Sequence, residues 1–184
     1  MNKFYFVLAI LLASVHTSRA QRWAVKSNLL YDAATTVNLG VEAALGRQVT
    51  LDVSGNYNPW KFGDARLKHW LVQPEVRYWL CESFNGHFFG LHAHYAEYNA
   101  GGIDFSTDFR RNRYQGHLYG AGLSYGYQWL IGRSWNLEAT VGIGYARLWD
   151  RKYPIAECGE VIRTRSRNYF GPTKIGLTLI FIIK

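Results

Sequence analysis

From residue 23 to residue 183 the sequence keeps alternating, bulky against small or polar, in a beat of two. Residues 119–130, YGAGLSYGYQWL, show it most plainly. Tyr119, Ala121, Leu123, Tyr125, Tyr127 and Trp129 share one parity, and Gly120, Gly122, Ser124, Gly126 and Gln128 share the other. Successive side chains of a β-strand point to opposite faces, so this beat makes a two-faced strand and does not fit the period of a helix. It recurs in seven further segments: 23–32, 37–46, 48–57, 69–80, 87–98, 135–147 and 174–183. Eight strands are expected.

The connections alternate too. Gly46-Arg47, 82–86 and 132–134 are short, whereas 58–68, 99–114 and 149–168 are long; only 33–36 is brief where a long one should fall. In an up-and-down meander alternate connections lie at opposite ends, so the short turns gather at one end and the long loops at the other. The pattern predicts an all-β fold, an eight-stranded antiparallel up-and-down transmembrane β-barrel.

Alternation alone does not say which face is inside. A lipocalin-like barrel holds its apolar face inward, and a membrane barrel turns it out. Two features favour the membrane arrangement. The polar faces carry mainly Gly, Ser, Asn and Thr with few charges, unlike a water-facing strand surface rich in Lys and Glu. Small residues suit the lumen of an eight-stranded barrel, which is only wide enough for side chains to fill. The aromatics, 16% of the chain, also divide into two sets. Trp23, Tyr78, Tyr127, Trp129, Trp135 and Phe181 fall at the short-turn end; Tyr31, Tyr57, Trp60, Trp70, Tyr95, Tyr145, Trp149 and Tyr169 fall at the long-loop end. Two such girdles match the two interfaces of a bilayer.

The N-terminus agrees with export. Lys3 precedes an apolar run from Phe4 to Val15, and Ser18 and Ala20 sit at the −3 and −1 positions of a cut before Gln21. Residues 1–20 read as a secretory signal peptide and 21–184 as one barrel domain. The run is too short for the ~20 residues of a spanning helix. Removing Lys3 and Arg19 from the 21 basic residues leaves 19 against 13 acidic ones, a net +6. In an exported chain that charge points to anionic surfaces such as lipopolysaccharide rather than to nucleic acid. The bacterial outer membrane is the expected location, and a monomer the expected state.

Charged residues on the small-residue faces would meet inside the barrel, where isolated charges are very costly. Lys26, Glu42, Asp52, Glu75, Arg77, Glu138 and Lys174, with Asp32 beside them, are expected to form a lumen ion network. Arg77 is expected at its centre, because a guanidinium can bridge two carboxylates. The network reads as a structural plug, or alternatively as the gate of a minor channel. His92 and His94, at i and i+2, face the same way but lack a clear third metal ligand. Ser54 and Ser124 have no base beside them in sequence, and no hydrolase motif is present. No catalytic residue, cofactor or metal is therefore assigned; the alternative class is a lipid A-modifying or other lipid-modifying enzyme. DFSTDFRRNR, with Arg110, Arg111 and Arg113, and RTRSR, with Arg163, Arg165 and Arg167, read as basic surface loops for lipopolysaccharide or a surface partner. Cys81 and Cys158 fall at opposite ends, about 25 Å of hydrocarbon apart, and are expected to stay unpaired.

The segments WAVKSNLLYDAATT, LDVSGNYNPW, KHWLVQPEVRYW and CESFNGHFFGLHAH, followed by YGAGLSYGYQW, WNLEATVGIGYARL and GPTK, carry a resemblance over nearly all of the mature chain. Together they resemble an uncharacterised family of small bacterial outer-membrane barrels with a domain-of-unknown-function label. The resemblance implies fold and location and no catalytic residues. Some relatives are encoded beside surface-fimbria components, which implies an anchoring or assembly role. Relatives often carry two Cys in the last loop, where RKYPIAECGE has only Cys158. Structural, surface-binding or envelope-assembly work without catalysis is the expected function.

Overall fold

A computed structural model describes residues 22–62, 65–102, 107–155 and 160–183. The expected signal peptide lies outside them. The strands are β1 (Trp23–Asn28), β2 (Val37–Ala44), β3 (Val49–Asn58), the two-residue β4 (Lys61–Phe62), β5 (Ala65–Trp79), β6 (Gly86–Gly101), β7 (Asn112–Leu130), β8 (Trp135–Pro154) and β9 (Arg163–Ile183). Two short helices, α1 (Leu29–Ala33) and α2 (Thr107–Arg111), interrupt them. Each long strand pairs antiparallel with its neighbours, β3 pairs with β5, and β1 pairs with β9. Eight strands thus form a ring-like sheet, and β4 is a small flap on β5. No described helix is long and apolar enough to cross a membrane.

Along the lower part of the strands the two parities separate. Leu123 and Ile175 are 64% exposed on the outer face, whereas Glu42 and Glu138 on the inner face are at 0% and 1%. The outer face also carries Trp23, Tyr78, Trp129 and Trp135 at one end and Tyr57, Trp70, Tyr95 and Tyr145 at the other, all exposed. Buried apolar side chains inside include the cluster Ala24, Phe84 and Ile180, together with Trp79 and Phe88, toward the short-turn end.

Several strand limits differ from the sequence reading. β1 stops at Asn28 instead of continuing to Asp32, because Asn28 caps α1: its Oδ1 accepts from Leu30 N–H (3.1 Å). Asp32 therefore sits on an exposed helix, hydrogen-bonded to Ser27 and Asn38, and does not join the interior charges. β6 to β9 run well past the apolar segments. Backbone pairing continues where side-chain alternation fades, so much of 99–114 and 149–168 is strand and not loop. Consequently Arg113 lies in β7, Arg163, Arg165 and Arg167 lie in β9, and Arg110 and Arg111 end α2. A bulge at Thr173 adds to this: Gly142 pairs with Lys174 but Ile143 pairs with Pro172. Proline has no ladder N–H to offer and is tolerated at such a point. The bulge flips the parity of β9 above it, which turns Tyr169 off the outer face; its hydroxyl donates to Pro172 O (3.2 Å).

The ring closes at a short seam. β1 and β9 share six residue pairs, Trp23↔Ile183 to Asn28↔Thr178. Beyond them the Asn28 side chain does the work of a strand, donating to Ile175 O (3.2 Å) and accepting from Leu177 N–H (3.3 Å). Asn28→Ala leaves both backbone groups and one helix N–H without partners. It should lower the unfolding free energy by about 2 kcal/mol, read as a drop in the urea midpoint of the folded chain.

Candidate functional site inside the ring

The inner face is stacked in layers from the short-turn end upward. At the bottom, the Trp79 ring lies 4.8 Å from that of Phe88 and 6.1 Å from that of Phe84. Indole N–H donors need a buried partner, and Trp79 Nε1 finds Thr50 Oγ1 at 2.9 Å. Phe88 and Phe84 inside the ring escaped the sequence reading. Phe84 lies in a short turn, and Phe88 starts its strand next to Phe89, so parity there was ambiguous. Gly126 opposite was the available signal: a Cβ on it would stand 2.4 Å from the Phe88 ring.

Above the aromatics the structure brings seven charged side chains together. Arg77, 1% exposed, is the hub. Its Nη1 meets Glu42 Oε2 (3.0 Å) and Glu138 Oε2 (2.9 Å), its Nη2 meets Asp52 Oδ2 (3.2 Å), and its Nε meets Glu75 Oε1 (3.1 Å). The planar guanidinium presents five N–H donors in fixed directions, and here they reach carboxylates from four strands. Its flat face lies over Phe88, 4.5 Å from the centroid. Lys26 Nζ bridges Glu42 (2.6 Å) and Glu138 (3.1 Å) and stands 3.7 Å from Asp52 Oδ1. Lys174 Nζ binds Glu75 and lies 3.8 Å from Asp52. Hydroxyls add further donors to the carboxylates: Thr50 to Glu42 Oε1, Thr140 to Glu138 Oε1 (2.7 Å), and Ser124 to Glu75 Oε1 (2.8 Å), the oxygen that Arg77 Nε also meets.

Register explains the convergence. Thr50 pairs with Arg77, Asp52 with Glu75 and Glu42 with Asp52, so the charges sit on adjacent strands at one height. The long side chains fit because the facing strands offer glycine. A Cβ on Gly90 would lie 2.1 Å from Glu75 Oε1, and one on Gly122 would lie 2.8 Å from His92 Nε2. A void of about 50 Å³ borders Lys26, Asp52, Arg77 and Lys174 and extends past them to Asn38, Ser54 and Ile175; it has room for a few waters.

His92 pairs with Glu75 in the register and His94 follows two residues on, with ring centroids 5.8 Å apart; His92 Nε2 contacts Thr173 Oγ1 at 2.9 Å. Among the described residues no three His, Cys, Asp or Glu side chains converge on a metal position. The Ser124 hydroxyl donates to Glu75, and Ser54 donates to the Gln73 carbonyl (3.3 Å), so neither is aimed at an imidazole. Cys81 is exposed and free, and Cys158 lies outside the described residues. Toward the long-loop end a cavity of about 560 Å³ borders Tyr57, Trp70, His117, Trp149 and Asp150. The basic residues Arg163, Arg165 and Arg167 stand at this end, apart from the network; Arg167 Nε is 3.5 Å from Asp150.

Compared with known proteins, residues 6–183 match the model of a family described as "Protein of unknown function (DUF3575)". No curated protein and no solved structure matches the chain.

Proposed function

We propose, for a chain that belongs to the DUF3575 family of proteins of unknown function, a place in the bacterial outer membrane as an eight-stranded transmembrane barrel, exported on a cleaved signal peptide. Its role is non-enzymatic: a sealed scaffold that holds surface-binding or envelope-anchoring elements at the long-loop end. The observation that carries this reading is the inverted distribution of polarity. An outer surface of exposed Leu, Val, Ile and aromatic side chains encircles an interior of ion pairs. Water would make such an outer face a severe aggregation liability, whereas acyl chains would solvate it.

The seal is supported by the network. Seven charges paired across the interior, with a void of about 50 Å³ beside them, favour a plug over a channel. Lipid modification is the less supported reading, since Ser54 and Ser124 are both committed to other partners.

The test begins with the processed chain, residues 21–184. It should fold only in detergent or lipid and migrate faster on unheated than on heated electrophoresis gels. Expressed with its leader, it should fractionate with the outer membrane. A compact, soluble, folded monomer without detergent would refute the proposal. In planar bilayers no openings above background are expected; steady conductance steps would replace the plug with the channel.

A further inference from the structure

We propose that the upper edge of β9 is a strand-addition site for an extended acidic segment of a partner protein. The inference rests on the reading above only in placing this edge outside the bilayer. β8 pairs with β9 all the way to Lys152↔Arg163, but β1 leaves β9 at Thr178 and the Asn28 amide extends the contact only to Ile175. From Thr173 to Arg163, no described strand lies on the other side of β9. Every residue from Arg163 to Phe170 is exposed, and Phe170 is 75% exposed. A strand edge of this length offers a row of backbone donors and acceptors that another chain can complete.

Charge selects the occupant. Residues 147–154 and 163–170 contain Arg147, Arg151, Lys152, Arg163, Arg165 and Arg167 against the single acid Asp150. Arg163, Arg165 and Arg167 share one face of the sheet, two residues apart, and Lys152 stands directly opposite Arg163. Like charges directly across a strand pair repel, and opposite charges attract. A second copy of β9 laid antiparallel on the first would set arginine row against arginine row. A strand with carboxylates at every second position would instead place acids beside Arg163 and Arg165 and add to the contact that Arg167 already makes with Asp150. The edge therefore rejects itself and accepts an acidic strand, a combination of attraction and exclusion typical of specific pairing.

The probe is an octapeptide alternating Glu and Thr, titrated by fluorescence anisotropy against the detergent-folded full chain at low salt. Saturable binding is expected, about tenfold or more tighter than for the Lys/Thr counterpart. N-methylation of alternate peptide amides should abolish it, because backbone pairing carries the contact. The variant R163E/R165E/R167E, checked for unchanged heat-shifted mobility, should prefer the Lys/Thr peptide. Three outcomes would overturn the proposal: no saturation by about 1 mM, equal binding of the N-methylated peptide, or binding of lipopolysaccharide micelles through these arginines with the peptide silent. None of these bears on whether the chain resides in the outer membrane, which the fractionation experiment decides separately.

Discussion

Arg77→Met should be the most damaging single substitution in the interior. Methionine fills a similar volume but leaves Glu42, Asp52, Glu75 and Glu138 with only Lys26 and Lys174 to oppose them. Removing one partner from a buried ionic cluster costs about 3–5 kcal/mol, because the charges left behind stay desolvated. The loss should appear as a lower urea midpoint for the detergent-folded chain and a lower temperature for the heat-dependent gel shift. Repulsion, not lost volume, is the cause, so E42Q/E138Q added to Arg77→Met should recover much of the deficit. If the triple variant is no better than the single one, the ionic account of the interior is wrong. Arg77→Lys should recover little, since an ammonium cannot reach carboxylates in four directions at once.

Gly144→Ala should be nearly as harmful for a different reason. Gly144 pairs with Gly122 of β7, and a Cβ on it would lie 2.4 Å from Ala121 O and 2.6 Å from Gly122 Cα. Both neighbours are backbone and cannot rotate aside, so β7 and β8 would have to separate. About 3 kcal/mol is expected, toward the upper range for overpacking. Gly46→Ala is the control: no atom lies within 4 Å of its added Cβ. It should change stability by less than about 0.5 kcal/mol. Equal effects of the two substitutions in the same unfolding assay would mean that the close approach of β7 and β8 has no energetic weight.

The parts of the fold legible in the sequence are those where one side chain per pair of residues is large. Leu123, Val141 and Ile175 announce the outer face, and Gly122, Gly142 and Gly176 the inner one, without reference to any partner strand. The seven charges could be assigned to one face by parity alone. The guanidinium fork marks Arg77 as the expected centre; which oxygens it meets depends on register, which a single sequence does not contain. The strand extensions were illegible because polar residues occupy both faces there. In RTRSRNYF neither parity is apolar, so hydrophobic periodicity falls silent although the backbone ladder continues. Thr173 hid the last turn of the pattern, since a bulge displaces every residue above it by one step. Asn28 misled in the opposite direction. Leu29 and Tyr31 continue an alternation that the Asn28 cap converts into helix.

The β1–β9 seam sets an order of events. All other long strand pairs join sequence neighbours across a turn or loop, and these can form as successive hairpins. Trp23↔Ile183 alone unites the two ends of the described chain, across 160 residues. Loop-closure entropy and the need to finish every intervening hairpin both delay this contact. Closure is then a late step that makes the sheet continuous and shuts the ion pairs away from water.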